Sequence, residues 1–141
     1  MKIHWLSISI ACILIIIIIW IIVSQVTDHY DQQDPKLHQL KRDLDSVHPK
    51  MKHIKLYKGK KSYTINKDKI YLCLHDQHGE YYDDNMLKYV LLHEFVHKIN
   101  EDIGHTPKWK KKFEEILKKA ADLGIYDPTI EPINDYCIHN D

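Results

Sequence analysis

Residues 93–109 read HEFVHKINEDIGHTPKW, and the fold turns on how the first five of them are placed. Around them Leu87, Val90, Leu91, Phe95, Val96 and Ile99 spread apolar surface over most of a helix's circumference, which marks that helix for burial. A buried helix with His93, Glu94 and His97 in its middle must give those groups partners, because an unpaired polar group in an apolar medium costs roughly 2–7 kcal/mol. Positions i and i+4 lie one above the other on a helix, so the rings of His93 and His97 project from one face and can reach a single ion. Glu94 is offset from them by about 100°. Two imidazoles on one face with a carboxylate alongside make the HExxH arrangement of zinc metallopeptidases.

The chain has 11 histidines and six glutamates among 141 residues, and a shuffled chain of that composition would contain HExxH roughly 0.04 times. Context adds to this. A catalytic zinc takes three protein ligands and leaves one position for water, and His105 is the expected third ligand. A histidine six positions after His97 would fall at position 103, which is Ile103. Glu114 and Glu115 follow a run of lysines and read as a solvated face, and Glu101 lies too far along the helix axis to share an ion with His93. Gly104 permits the reversal that brings His105 back. With a metal in place, Glu94 is the expected general base towards a metal-bound water. Tyr126, Tyr136 and His139 are the candidate donors to the tetrahedral oxyanion.

Working outward, Thr106 and Pro107 begin a second helix in which Trp109, Phe113, Ile116, Leu117 and Ala120 follow helical spacing, with Gly124 closing it. Its lysines at 108, 110, 111, 112, 118 and 119 read as a solvated face. Asp83, Asp84 or Asn85 can cap the HExxH helix, which is expected to run until about Gly104. Upstream, HIKLY, SYTIN and KIYLCL have strand character. The linkers KGKK, with Gly59 in a hairpin turn, and KD make a small antiparallel meander the economical arrangement, and the third strand, as the most apolar, is expected to be central. His75 and His78 read as solvated loop histidines. Before the strands, Asp34 and Pro35 start an amphipathic helix carrying Leu37, Leu40, Leu44 and Val47, which His48 and Pro49 end.

From Trp5 to Val23 the sequence is WLSISIACILIIIIIWIIV, without a charge and about long enough to span a bilayer. Tryptophans near both ends suit the interfaces, and no small-residue cleavage pattern follows, so a retained signal anchor is expected. Residues 1–26 are read as the anchor, 27–34 as a linker and 35–141 as one domain. Lys2 before the span and Asp28, Asp31 and Asp34 after it favour a carboxyl-terminal domain outside the cytosol. Twenty basic and twenty acidic side chains give zero formal charge, so no global field points to nucleic acid. Cys12 lies in the span. Cys73 and Cys137 can pair in an oxidising space or stay as thiols elsewhere.

LLHEFVH, GHTPKW and the preceding KIYLCL resemble the SprT-like and WLM-type zinc metallopeptidases, in outline from Pro35 to Gly124 and closest to short members that large DNA viruses encode. The resemblance implies an α+β zincin-like core, of SprT or minigluzincin type, with a small sheet and an HExxH helix. It carries His93, His97 and His105 over as zinc ligands and Glu94 as catalytic base. Better-known members act on DNA-bound proteins and have extra interaction segments; this chain has a membrane span in their place. The expected function is therefore a membrane-anchored zinc peptidase, in a virion or host membrane, acting on protein or peptide, with nucleic acid the less favoured partner. The alternative is a noncatalytic membrane protein whose zinc holds a small interaction module together. Nothing in these motifs sets an oligomeric state.

Overall fold

The computed structural model describes residues 2–137. The chain divides into two compact units, Met1–Asp31 and Gln32–Asp141. Helix α1 spans Lys2–Gln32, and within it Ser7–Thr27 is long and apolar enough to cross a membrane, with none of that stretch buried. The helix continues through most of the polar stretch read as a linker, because extending a helix already nucleated costs little per residue.

The second unit is a mixed α+β domain: α2 (Pro35–Leu44), a 3-10 turn (Pro49–His53), β1 (Lys55–Lys58), β2 (Tyr63–Ile65), β3 (Lys69–Leu72), α3 (Asp84–Ile99) and α4 (Pro107–Asp122). Asp34 caps α2 by accepting from the Lys36 N–H at 2.9 Å, and Leu37, Leu40 and Leu44 turn into the core as the spacing predicts. Burying one such leucine is worth about 1.5–3 kcal/mol. Lys36 Nζ and Gln39 Nε2 reach the two oxygens of Asp84 at 2.8 and 2.7 Å, tying the start of α2 to the start of α3.

The sheet corrects the expected antiparallel meander. Strand order is β1-β3-β2, with β1 parallel and β2 antiparallel to β3. The central place of β3 stands, since its Ile70 and Leu72 are completely buried. A meander would have put the more polar β2 in the middle. Instead residues 59–62 step across the end of β3: the Gly59 N–H donates to the Leu72 carbonyl at 2.8 Å, and Ser62 Oγ accepts from the Cys73 N–H at 2.9 Å. Crossing two strand spacings needs about 10 Å, and four residues reach about 13 Å. Glycine is required there, as a Cβ on residue 59 would lie 2.9 Å from the Lys61 carbonyl and 3.1 Å from Tyr71 Cβ. Tyr57, Tyr71 and Tyr63 then stack across the three strands with centroids 4.9 Å apart in each pair. Only β2 and β3 form a hairpin, through Asn66 and Lys67, both at positive φ.

Asp83 caps α3, accepting from the Met86 N–H at 3.0 Å. Leu87, Leu91, Leu92, Phe95 and Val96 of α3 are fully buried against the α2 leucines and β3, and Trp109, Phe113, Ile116 and Ala120 of α4 complete the core. Helix α3 ends at Ile99, five residues before Gly104. Asn100 is extended, and the carbonyls of Asn100 and Glu101 are taken by Lys67 Nζ at 2.6 and 2.7 Å, so the backbone there has partners other than a further helical turn. After α4, Gly124 at φ 70° reverses the chain. The tail runs back beside the start of α3, where Asn85 and Asp127 exchange two hydrogen bonds. Its described part reaches a disulfide between Cys73 and Cys137, the first of the two outcomes the sequence left open.

Candidate metal centre

Helix α3 presents His93 and His97 on one face, and the turn after it returns His105 to them. That turn is fixed by Thr106, whose hydroxyl donates to Asp102 Oδ2 at 3.1 Å and accepts from the Trp109 N–H at 3.2 Å, capping α4. Gly104 sits at φ 79°, a left-handed conformation open to glycine, and so makes the reversal that its residue type permits. The three Nε2 atoms stand 3.3 Å (93 to 97), 3.0 Å (97 to 105) and 3.1 Å (105 to 93) apart. Among the described residues these three form the one group of histidine, cysteine and carboxylate donors close enough to share an ion.

Three ring nitrogens facing one another cannot satisfy themselves, because each is either one donor or one acceptor and three mutual contacts always leave a clash of like groups. A cation removes the conflict. Nitrogens about 2.0–2.1 Å from a tetrahedral ion stand roughly 3.3–3.4 Å from each other, close to the spacing here. Neutral rings are needed for this, and burial together with the nearby His97 and His105 lowers the His93 pKa to about 4. Burial, then His105, lowers that of His97 too.

Glu94 is 7% exposed. Its Oε2 accepts from the Thr64 hydroxyl at 2.8 Å, and burial raises its pKa while that hydrogen bond opposes the rise. Thr64 lies on the edge strand β2 with its side chain towards α3, between exposed Tyr63 and Ile65. Sequence reading missed it, since a lone threonine 30 positions from the motif carries no signal until β2 and α3 are packed. It also missed how central Trp109 is: the indole lies 4.7, 4.8 and 4.4 Å from the ring centroids of His93, His97 and His105 and forms a common wall for all three.

Two clefts meet at His93, Glu94 and Ser62. One, of about 530 Å³, continues past His97 and His105 and is bordered by Thr64, Lys67 and Asp102. The other, of about 680 Å³, runs towards the start of α3 between Met86, Val90 and the tail. Of the three oxyanion candidates, Tyr136 lines this second cleft. Its hydroxyl donates to the Cys73 carbonyl and accepts from Ser62, whose Oγ in turn accepts from the Cys73 N–H, so its proton is already committed. Burial raises its pKa strongly. Tyr126 packs near Tyr89 and borders neither cleft. His139 lies outside the described residues. His75 lies tilted against Tyr81 with ring centroids 4.3 Å apart, while Asp76, by accepting from the N–H groups of His78 and Glu80, organises the loop that holds His75 and His78.

Relatives of this sequence occur in large DNA viruses. An uncharacterized protein of Invertebrate iridescent virus 6, 136R, is 44% identical over 90 residues, 62% of this chain and 51% of that protein. Protein 042R of Invertebrate iridescent virus 3 is 38% identical over 86 residues, 60% of this chain and 54% of the other. Protein R325 of Acanthamoeba polyphaga mimivirus is 32% identical over 111 residues, 74% of this chain and 56% of the other. The chain thus spans about half the length of the curated relatives it matches. No family model matches it. No solved structure does either.

Proposed function

We propose that this chain is a membrane-anchored zinc metallopeptidase of the SprT-like and WLM type, with a zincin-like core. The observation that carries the reading is the convergence of three Nε2 atoms within 3.0–3.3 Å beside a buried carboxylate that opens on two clefts. His93, His97 and His105 would hold the ion. Bound zinc would supply Lewis acidity, easing deprotonation of a water and polarising a scissile carbonyl. Glu94 takes the proton of the attacking water and returns it to the leaving amine. Thr64 holds the carboxylate in place, and Trp109 keeps the three rings in register. The substrate is a protein or peptide lying in the joined clefts.

The Cys73–Cys137 disulfide supports a domain on the oxidising side of the membrane, in agreement with the charges flanking α1. The viral relatives suit a virion or host membrane.

The test is metal content of the full chain purified in detergent without chelator, next to His93→Ala, His105→Ala and Glu94→Gln. One zinc per chain is expected, lost in both histidine variants and kept in Glu94→Gln, which should hydrolyse unstructured protein at least about 10²-fold more slowly. Absence of zinc from the folded parent would sink the reading. Hydrolysis undiminished in Glu94→Gln would remove the role given to that residue.

A further inference from the structure

We propose that the tail segment 132–137, pinned by the Cys73–Cys137 disulfide, is the specificity wall of this site and selects a large apolar substrate side chain next to the bond that is cut. The inference rests on the peptidase reading and adds to it which side chain is selected and by which residues. The two clefts lie end to end along one stripe of α3. Met86 and Val90 floor the first half, His93 and Glu94 the junction, and His97 the second. From Met86 to His97 the stripe is about 16 Å long, enough for several residues of an extended peptide. The two halves are lined differently. Around His97 the borders mix Thr64, Asn66, Lys67 and Asp102 with Tyr63 and Ile103. Towards the start of α3, Met86 and Val90, 5% and 7% exposed, line a cleft of about 680 Å³ together with Pro132 and Ile133 of the tail. A peptide whose carbonyl sits at the junction therefore places a neighbouring side chain between two apolar surfaces, with room for an aromatic ring.

The tail is held at its far end. The disulfide, the Cys137 N–H donating to Tyr82 Oη at 3.0 Å, and the closed ring of Tyr136, Ser62 and Cys73 all converge on two consecutive residues. Before that point the wall touches α3 through the Ile133 N–H on Met86 Sδ at 3.3 Å. The disulfide thus sets the width of the apolar half, and Tyr136 is part of a wall and not an oxyanion donor.

The experiment uses the full chain, zinc-loaded in detergent, on a tryptic peptide library with mass-spectrometric mapping of the cuts. One position flanking the cut should be enriched in Leu, Ile, Met or Phe by at least about fivefold, well within what an apolar pocket can discriminate. Ile133→Glu should remove most of that enrichment, Ile133→Leu should keep it, and the Cys73→Ser/Cys137→Ser pair should broaden it, each with zinc stoichiometry unchanged. No apolar enrichment, or enrichment equal in Ile133→Glu and the parent, overturns the proposal. A zinc-bound parent that cuts nothing tells against the peptidase reading, and the wall is then judged by NMR titration with two probes. N-acetyl-leucinamide should shift the methyl signals of Val90 and Ile133 and N-acetyl-glutaminamide should not; equal or absent shifts overturn it.

Discussion

Helices α1 and α3 are both apolar around most of their circumference, yet none of the span in α1 is buried and α3 forms the centre of a core. The polar groups they carry explain the difference. In α1 the hydroxyl of Ser9 donates to the Trp5 carbonyl at 2.9 Å and that of Thr27 to the Val23 carbonyl at 3.0 Å, so the helix satisfies itself and is compatible with hydrocarbon. In α3 the polar groups look elsewhere: Glu94 to Thr64 on β2, His93 and His97 to a ring that arrives from beyond the helix. An apolar helix whose polar groups need long-range partners dictates a fold built around them.

The comparison can be attacked by making α3 more like α1. His93→Leu with His97→Leu should take zinc from one per chain to none and cancel the metal-dependent stabilisation, about 4 kcal/mol when free metal exceeds its dissociation constant 1,000-fold. In chelator the same variant should be at least as stable as the parent, because frustrated polar groups have been replaced by apolar ones. Urea unfolding with and without zinc reads both. Next in size, Leu91→Ala removes a fully buried side chain and should cost about 2–5 kcal/mol, whereas Ile15→Ala in α1 should leave unfolding of the domain unchanged. Circular dichroism melts in detergent separate the two; equal effects would mean that α1 is core.

Smaller changes sharpen the picture. Thr64→Val should lower kcat about tenfold with KM and zinc affinity little changed, and Thr64→Ser should restore most of it, since one hydrogen bond to a charged carboxylate is worth about 1.5–3 kcal/mol. A KM effect alone would make Thr64 a substrate contact. Smallest of all, Asp83→Ala removes the cap of α3 and should cost about 1 kcal/mol by chemical unfolding, without altering zinc content.

Local rules made much of this legible. The caps Asp34 and Thr106, the leucines of α2, the apolar wrap of α3 and the return of His105 past Gly104 all follow from spacing and residue type, which narrow the cap of α3 to Asp83, Asp84 or Asn85. Strand order did not. Gly59 and KGKK look like a hairpin turn, and only the stacking of Tyr57, Tyr71 and Tyr63, with β3 buried between neighbours, shows that the link crosses the sheet.

The sequence by itself determined the apolar span, the helices and the three histidines that meet, because these depend on the 3.6-residue period and on contacts within a few turns of chain. Tertiary structure alone decided that β1 runs parallel to β3, that Thr64 serves Glu94, and that Cys137 closes on Cys73 to bring the tail beside the site. Those pairings join residues far apart in the chain, and no local preference encodes them; they are fixed by which apolar surfaces must be covered and which buried polar groups must find partners.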